Sequence, residues 1–321
     1  MRFLFGGILG LLALWAGYWM VGQLMIEGQI GALLDQMPTG LSVQQAGYDV
    51  AGFPSRFDLT VTQPQVQTAA GWGWQAEFAQ VFAMTWKPWH LIAALPHSQT
   101  LTTPFGPATL DSSRFMASFR VAPSAEADFE EAVLQIDAPT LRSGGLPQIT
   151  ADAVIVALKH EVAQGFSYRL GVQVDSLTPL VPAATGGNLT LGRLDMVMTT
   201  DGALNRTTVA VQVQTLNLRA VALDWGGVKV TGDGLLTRGD GGLAEGTVAL
   251  KVTGWRDLPA RLADFAILRP EIAPTMARAL EVIAAEQGNP EVLDLPLIFR
   301  SGRFYLGPLP LGLAPSLIYR Q

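Results

Sequence analysis

The sequence predicts a mainly β protein, in which an N-terminal transmembrane helix precedes an elongated, curved, groove-like antiparallel β-sheet with a helical pair near the C-terminus. Three observations support this fold class. Residues 3–26 carry no charge, apolar and polar residues alternate through most of the chain after residue 41, and short clusters of Gly, Pro, Asn or Asp separate the alternating runs.

The N-terminal run is predicted to be a transmembrane signal anchor over residues 1–27. A helix from Phe3 to Ile26 spans ~36 Å, which exceeds the ~30 Å hydrocarbon core of a bilayer. Arg2 precedes this run and Glu27 ends it. The positive-inside rule therefore places the N-terminus in the cytoplasm and the rest of the chain across the membrane.

Aromatic residues mark one end of the anchor. Trp15, Tyr18 and Trp19 lie toward its outer half, where amphipathic rings favour the headgroup region. A cleaved signal peptide is the alternative, but it would have a shorter apolar core and a small-x-small cleavage site. Apolar residues continue at helical intervals from Ile30 to Met37, so residues 28–40 are predicted to form a membrane-proximal helix.

Residues 41–321 are predicted to form a β-rich domain. Phe57, Leu59 and Val61 alternate with polar residues, and residues 166–175 show the same period of two. The further predicted strands are residues 115–121, 132–137, 153–158, 189–198, 208–218, 228–236, 247–253 and 304–306. Glycine-rich turns between them favour an antiparallel meander, arranged as one domain or as two lobes that meet near residues 176–188.

One interior stretch, residues 258–287, is predicted to be helical. The apolar stripe of its second half consists of Ile272, Met276, Leu280 and Ile283. Pro270 and Pro274 divide the stretch into two helices. We expect this pair to cover an end or a face of the sheet, with a mobile lid over a ligand groove as the alternative.

The composition excludes several classes of protein. Of the 321 residues, 49% are apolar and 15% are charged, whereas disordered chains combine low hydrophobicity with high charge. The net charge of −6 disfavours nucleic acid as a partner, because nucleic acid is bound mainly through Lys and Arg. The sequence contains no cysteine, which excludes disulfides, thiolate metal ligands and cysteine nucleophiles.

The sequence offers few candidates for catalysis. His90, His97 and His160 do not stand at the spacing of a zinc motif. No G-x-S-x-G elbow, P-loop or SxxK motif occurs, and the glycines at 232 and 234 lie among strand and turn signals. We therefore expect no enzyme activity, no metal site and no cofactor. A hydrolase is a third reading, and it lacks a nucleophile motif.

An aromatic cluster is the most unusual local feature of the sequence. Trp72, Trp74, Trp86 and Trp89 lie within eighteen residues. Tryptophans can line an apolar ligand groove, although they more often fill a core. The candidate ligand-binding residues are Trp72, Trp74, Phe82, Phe166, Tyr168 and Leu170.

Several strings of residues carry a resemblance to one bacterial family. They are residues 52–59 (GFPSRFDL), 72–74 (WGW), 87–93 (KPWHLIA) and 307–312 (GPLPLG). Together they resemble the uncharacterised, membrane-anchored family catalogued as domain of unknown function 2125, over nearly the whole chain after the anchor. The motif residues predicted to be structural are Gly52, Phe53, Pro54, Arg56, Phe57 and Asp58.

A second, weaker resemblance covers residues 223–256. This segment is similar to the repeating strand pairs of AsmA-like envelope proteins. The resemblance implies an elongated, curved sheet whose apolar inner groove carries lipid between membranes.

Two functions are expected from these observations. The first is a single-pass protein of the bacterial inner membrane whose periplasmic β domain binds lipid or another amphipathic envelope molecule in an apolar groove. The second is a non-enzymatic assembly or scaffold factor that acts through protein–protein contacts at its sheet edges or helical cap. The expected partners are the membrane, through the N-terminal helix, then a lipid or amphipathic ligand and other envelope proteins, but not nucleic acid.

Overall fold

A single long helix, α1 (Arg2–Asp35), opens the chain. The computed structural model describes residues 2–35, 40–104, 106–143, 148–162, 165–178, 189–208, 211–264, 268–306 and 309–317. The predicted anchor and the predicted membrane-proximal helix form one continuous element, because no break occurs near residue 28. The stretch Phe5–Ala32 is long and apolar enough to cross a membrane.

The described residues after α1 are mostly β-strand. The strands are β1 (Leu41–Gln44), β2 (Gly47–Ala51), β3 (Arg56–Thr62), β4 (Gln65–Thr68), β5 (Gly73–Ala76), β6 (Phe78–Met84), β7 (Lys87–Leu95), β8 (Ser98–Thr103), β9 (Gly106–Asp111), β10 (Arg114–Val121), β11 (Phe129–Asp137), β12 (Thr140–Ser143), β13 (Ile149–Thr150), β14 (Ala153–His160), β15 (Ser167–Leu177), β16 (Leu189–Thr200), β17 (Val213–Trp225), β18 (Val228–Arg238), β19 (Ala244–Thr253), β20 (Val292–Arg300), β21 (Arg303–Leu306) and β22 (Leu309–Leu313).

These strands form two antiparallel sheets. The larger sheet has 15 strands in the order β2-β3-β6-β7-β10-β11-β14-β15-β16-β17-β18-β19-β20-β21-β22. The smaller sheet has seven strands in the order β1-β4-β5-β8-β9-β12-β13. The predicted antiparallel meander is therefore confirmed, and the sheet is open rather than closed into a barrel.

The chain passes repeatedly from one sheet to the other at a shared corner. Backbone hydrogen bonds continue the pairing there, from Gln63 N to Glu77 O at 2.8 Å and from Ala138 N to Asp152 O at 2.8 Å. Gln63 and Ala138 adopt left-handed backbone angles, with φ of 48° and 46°. A single residue in this conformation kinks a strand, so the smaller sheet continues the strands of the larger one around the corner.

The strands agree with the predicted segments except near residues 208–218. There β17 begins only at Val213 and continues to Trp225. The proposed lobe boundary near residues 176–188 falls mostly outside the described residues. On either side of it, β15 and β16 pair continuously from Ser167 opposite Thr199 to Leu177 opposite Leu189.

The predicted helical pair is also present, as α2 (Leu258–Asp264) and α3 (Ala273–Gln287). A 3-10 turn at Pro270–Ile272 leads into α3. Pro274 lies in the first turn of α3, where its missing N–H removes no helical hydrogen bond. The main buried cluster lies between these helices and the last strands, and consists of Val228, Val252, Trp255, Leu280, Ala284, Leu293, Leu295 and Leu306.

Candidate functional site

Helix α1 rests on the turn between β2 and β3. The indole of Trp15 donates a hydrogen bond to the carbonyl of Pro54 at 2.9 Å, and the indole of Trp19 donates one to the carbonyl of Arg56 at 2.8 Å. The ring of Trp19 stacks on Phe57, with centroids 5.9 Å apart. These contacts hold helix α1 against the β2–β3 turn and the start of β3.

The backbone of this turn requires glycine at position 52. Gly52 has φ of +100°, and an added Cβ would lie 2.8 Å from the carbonyl oxygen of Arg56. Arg56 N donates to Gly52 O at 3.0 Å and closes the turn. The Arg56 guanidinium pairs with Asp58 at 2.9 Å. The motif residues thus form the surface on which α1 packs.

An open apolar groove of about 450 Å³ lies between α1 and the larger sheet. The residues that line it are Met25, Ile26, Gln29, Ile30, Phe57, Leu59, Val81, Ala83 and Leu91. Gln29 is the only polar residue among them. The lining of the groove is therefore almost entirely apolar.

The sheet side of the groove belongs to a much longer apolar face. Cross-strand partners form a first row across nine strands, which consists of Phe57, Ala83, Leu91, Phe119, Ala132, Leu158, Leu170, Met196 and Leu218. A second row runs parallel to it and consists of Leu59, Val81, Ala93, Ala117, Leu134, Val156, Val172, Leu194 and Val221.

Much of this face is accessible. Leu91 and Phe119, which are opposite each other on β7 and β10, are 37% and 43% exposed. Phe57 is the one residue of the two rows that is fully buried, and the others are half-buried or exposed. Because exposure of apolar side chains to water is unfavourable, this surface is suited to contact with an apolar partner.

The opposite face of the larger sheet, called the polar face below, carries several ion pairs. Arg169 and Asp195, which alternate with the row residues, form a bidentate pair with N···O distances of 2.7 and 2.6 Å. The hydrogen bond from Arg169 holds the pKa of Asp195 below its usual value. Further pairs on this face join Arg120 to Glu131 and Arg219 to Glu161. These charged side chains are stable in contact with water. The apolar face is therefore the one that gains from contact with a partner.

Three of the predicted ligand-binding residues lie on β15 or directly before it. Leu170 belongs to the first apolar row and is half-buried. Tyr168 is on the same face but only 1% exposed, and its hydroxyl accepts a hydrogen bond at 2.8 Å from the N–H of Leu204 in the loop between β16 and β17. Phe166 is 47% exposed in the turn before the strand.

The other three predicted residues lie elsewhere, so the six do not form one lining. Phe82 neighbours Val81 and Ala83 on β6, and therefore faces the polar side, where the Arg56 guanidinium lies 6.0 Å from its ring. Trp74 is in the smaller sheet and donates a hydrogen bond to Gln99 at 2.8 Å. Trp72 precedes β5 and is 53% exposed. Their binding of a ligand stays a prediction.

None of the six predicted ligand-binding residues lines this groove. The alternation of Phe57 and Leu59 was a signal for a dry strand face, and the helical spacing through Ile30 was a signal for a contact face on α1. What no local pattern indicates is that these two faces meet.

The titratable side chains of the described residues include one contact between a histidine and a hydroxyl group. His90 Nε2 lies 3.0 Å from the hydroxyl of Ser118. Among the described contacts, no carboxylate forms a hydrogen bond with either side chain. No group of three or more metal-ligating side chains occurs among the described residues.

Comparisons with known proteins bear on the family and not on the activity. No curated protein and no solved structure matches the chain significantly. The similarity of residues 223–256 to AsmA-like proteins therefore stays a prediction. One family model matches residues 19–315, a span that begins at Trp19, the first residue of α1 that stacks on the sheet. The chain belongs to the family described as "Uncharacterized protein conserved in bacteria (DUF2125)".

Proposed function

We propose that this protein binds the hydrocarbon chains of lipid, or of another amphipathic envelope molecule, on the apolar face of its larger sheet. The observation that carries the proposal is the groove between α1 and β3, β6 and β7, whose lining includes a single polar residue. Its volume of about 450 Å³ lies within the range of ~300–1,000 Å³ that is common for ligand pockets.

The position of the groove supports a lipid rather than a water-soluble ligand. One wall is α1, which is long and apolar enough to cross a membrane. A lipid could therefore pass from the bilayer to the groove along one continuous apolar surface. The two apolar rows then extend that surface across the sheet, away from α1.

The proposed location is the bacterial inner membrane, with the β domain in the periplasm. Arg2 precedes the apolar run, and positive charge on that side favours retention of the N-terminus in the cytoplasm. In this orientation the groove lies on the periplasmic side of that membrane.

Site-specific photo-cross-linking in cells tests the proposal. A benzophenone amino acid at Leu59 or Val81 is expected to cross-link phospholipid or another envelope amphipath. The same probe at Thr60 is expected to give none, since neighbouring residues of a strand face opposite sides. A probe at Val156 asks whether the ligand extends along the second row.

Two further variants separate groove binding from contact with bulk lipid. A probe at Leu14, which is 72% exposed on α1, should cross-link bilayer lipid in any inserted protein. Ala83→Trp, which fills the groove, should lower cross-linking at Leu59 and leave cross-linking at Leu14 unchanged. Equal lipid yields at Leu59 and Thr60 would refute the proposal, and cross-links to a protein at Leu59 would favour the assembly-factor function.

A further inference from the structure

Helix α1 extends beyond the domain at its N-terminal end. Residues ahead of Trp15 project away from the domain, and Phe5, Leu11 and Leu14 are 70%, 69% and 72% exposed. A bilayer that covers these apolar side chains meets the domain at Trp15, where α1 forms a hydrogen bond with the β2–β3 turn.

This geometry brings one corner of the domain into the bilayer interface. Trp15 and Trp19 are tied to the carbonyls of Pro54 and Arg56, so the β2–β3 turn lies at the same depth as these indoles. The β6–β7 turn lies there too, because the hydroxyl of Tyr18 donates to Thr85 O at 2.7 Å.

The two turns have the composition of an interfacial surface. Phe53 and Trp86 project from them and are 56% and 59% exposed. Lys87 follows Trp86 directly, and residues 84–91 contain no carboxylate, whereas Arg56, three residues after Phe53, is paired with Asp58. Aromatic rings with nearby basic side chains favour the headgroup region of a bilayer.

The next turn along the same edge of the sheet differs. The β10–β11 turn contains Glu126 and Asp128, and the side chain of Asp128 accepts a hydrogen bond from Asn205 at 3.0 Å. Ala125, at its tip, is exposed but small. The β10–β11 turn therefore lacks the exposed aromatic ring that each of the two turns beside α1 carries.

We infer that the β2–β3 and β6–β7 turns form a membrane-docking corner, which inserts Phe53 and Trp86 into the headgroup layer of a phospholipid bilayer beside Trp15 of α1. The domain then contacts the membrane surface in one fixed orientation and is not held away from it by a flexible linker. This surface is separate from the groove, and its role does not depend on what the groove binds.

Depth measurements on the full-length chain test this inference. The sequence has no cysteine, so single substitutions Trp86→Cys, Phe53→Cys and Ala125→Cys can each carry one nitroxide label. In proteoliposomes of phosphatidylethanolamine and phosphatidylglycerol, collision with a water-soluble nickel complex and with oxygen reports the depth of each label. We expect the nickel complex to reach labels at 86 and 53 several-fold less often than the label at 125.

The opposite result is equally clear. Labels at 86 and 53 that collide with the nickel complex as often as the label at 125 would overturn the docking corner. Phe53 also contacts Trp19, with ring centroids 5.5 Å apart. If Phe53→Cys disturbs the packing of α1, the label at 86 alone decides whether the corner enters the bilayer. Lipid cross-linking at Leu59 is measured independently, so the two proposals can fail separately.

Discussion

At the scale of single residues, the contact between α1 and the sheet depends on the absence of a side chain. An added Cβ at Gly22 would lie 2.4 Å from the Cζ atom of Phe57. Phe57 is only 5% exposed and is held by Trp19 and Tyr18, whose ring centroids lie 5.9 and 6.5 Å away. The ring therefore has little room to move, and glycine lets the helix approach it.

We expect Gly22→Ala to weaken this contact. The matched control is Gly28→Ala, because an added Cβ at Gly28 has no neighbour within 4 Å. Relative to the control, overpacking against Phe57 should lower the free energy of unfolding by about 1–3 kcal/mol. Urea denaturation in detergent measures the difference. Equal stabilities of the two variants would show that the helix does not pack on Phe57 in this way.

At the scale of elements, the helices α2 and α3 form a packed cap and not a loose cover. Leu280 of α3 is 1% exposed, and Val228 and Leu293 on the strands beneath it are fully buried. The indole of Trp255 adds a hydrogen bond to the carbonyl of Pro290 at 3.2 Å. This packing agrees with the predicted cap at one part of the sheet, while the groove lies beside α1 at the other end.

Truncation of Leu280 should destabilise the protein through this cluster. Leu280→Ala removes a buried side chain that cannot be replaced by water, and it should cost about 2–5 kcal/mol of unfolding free energy. Val282→Ala on the same helix, at a position that is 58% exposed, should change it by less than about 0.5 kcal/mol. Hydrogen exchange should show the loss of protection in β18, β19 and β20. Similar costs for both variants would mean that α3 is not packed on the sheet.

At the scale of the whole molecule, function depends on which side of the membrane the β domain occupies. In the proposed orientation Gln321 is in the periplasm. We therefore expect alkaline phosphatase fused after Gln321 to be active, because this reporter folds only outside the cytoplasm. A second fusion with Leu9→Arg and Leu12→Arg interrupts the apolar run and should lose that activity. Phosphatase activity only in the second fusion, or fluorescence of a cytoplasmic reporter on the intact chain, would reverse the orientation.

Much of the fold could be predicted because its signals are local. Alternation at Phe57, Leu59 and Val61 indicates a strand with one apolar face wherever that strand lies in the sheet. The helical stripe that includes Leu280 works in the same way. The prediction was less accurate near residues 208–218, because β17 begins at Val213 and residues 209–210 lie outside the described part of the chain.

The candidate site was harder to predict because it is built from distant segments. Trp72 and Trp74 were chosen for their size and proximity in sequence, but the kink at Gln63 places their region in the smaller sheet. Phe82 was chosen for its ring, although the register of β6 turns it to the polar face. The groove residues on α1 and β3 are more than twenty positions apart in sequence, so no local pattern links them.

The sequence by itself determined the family, the apolar N-terminal helix, the antiparallel strands and the helical cap, because periodicity and composition act within a few residues. Only the tertiary structure decided that the second half of α1 lies on the sheet, that Trp15 and Trp19 bond to the β2–β3 turn, and that two apolar rows align across nine strands. These features depend on strand register and helix docking, which are set by contacts between residues far apart in the chain.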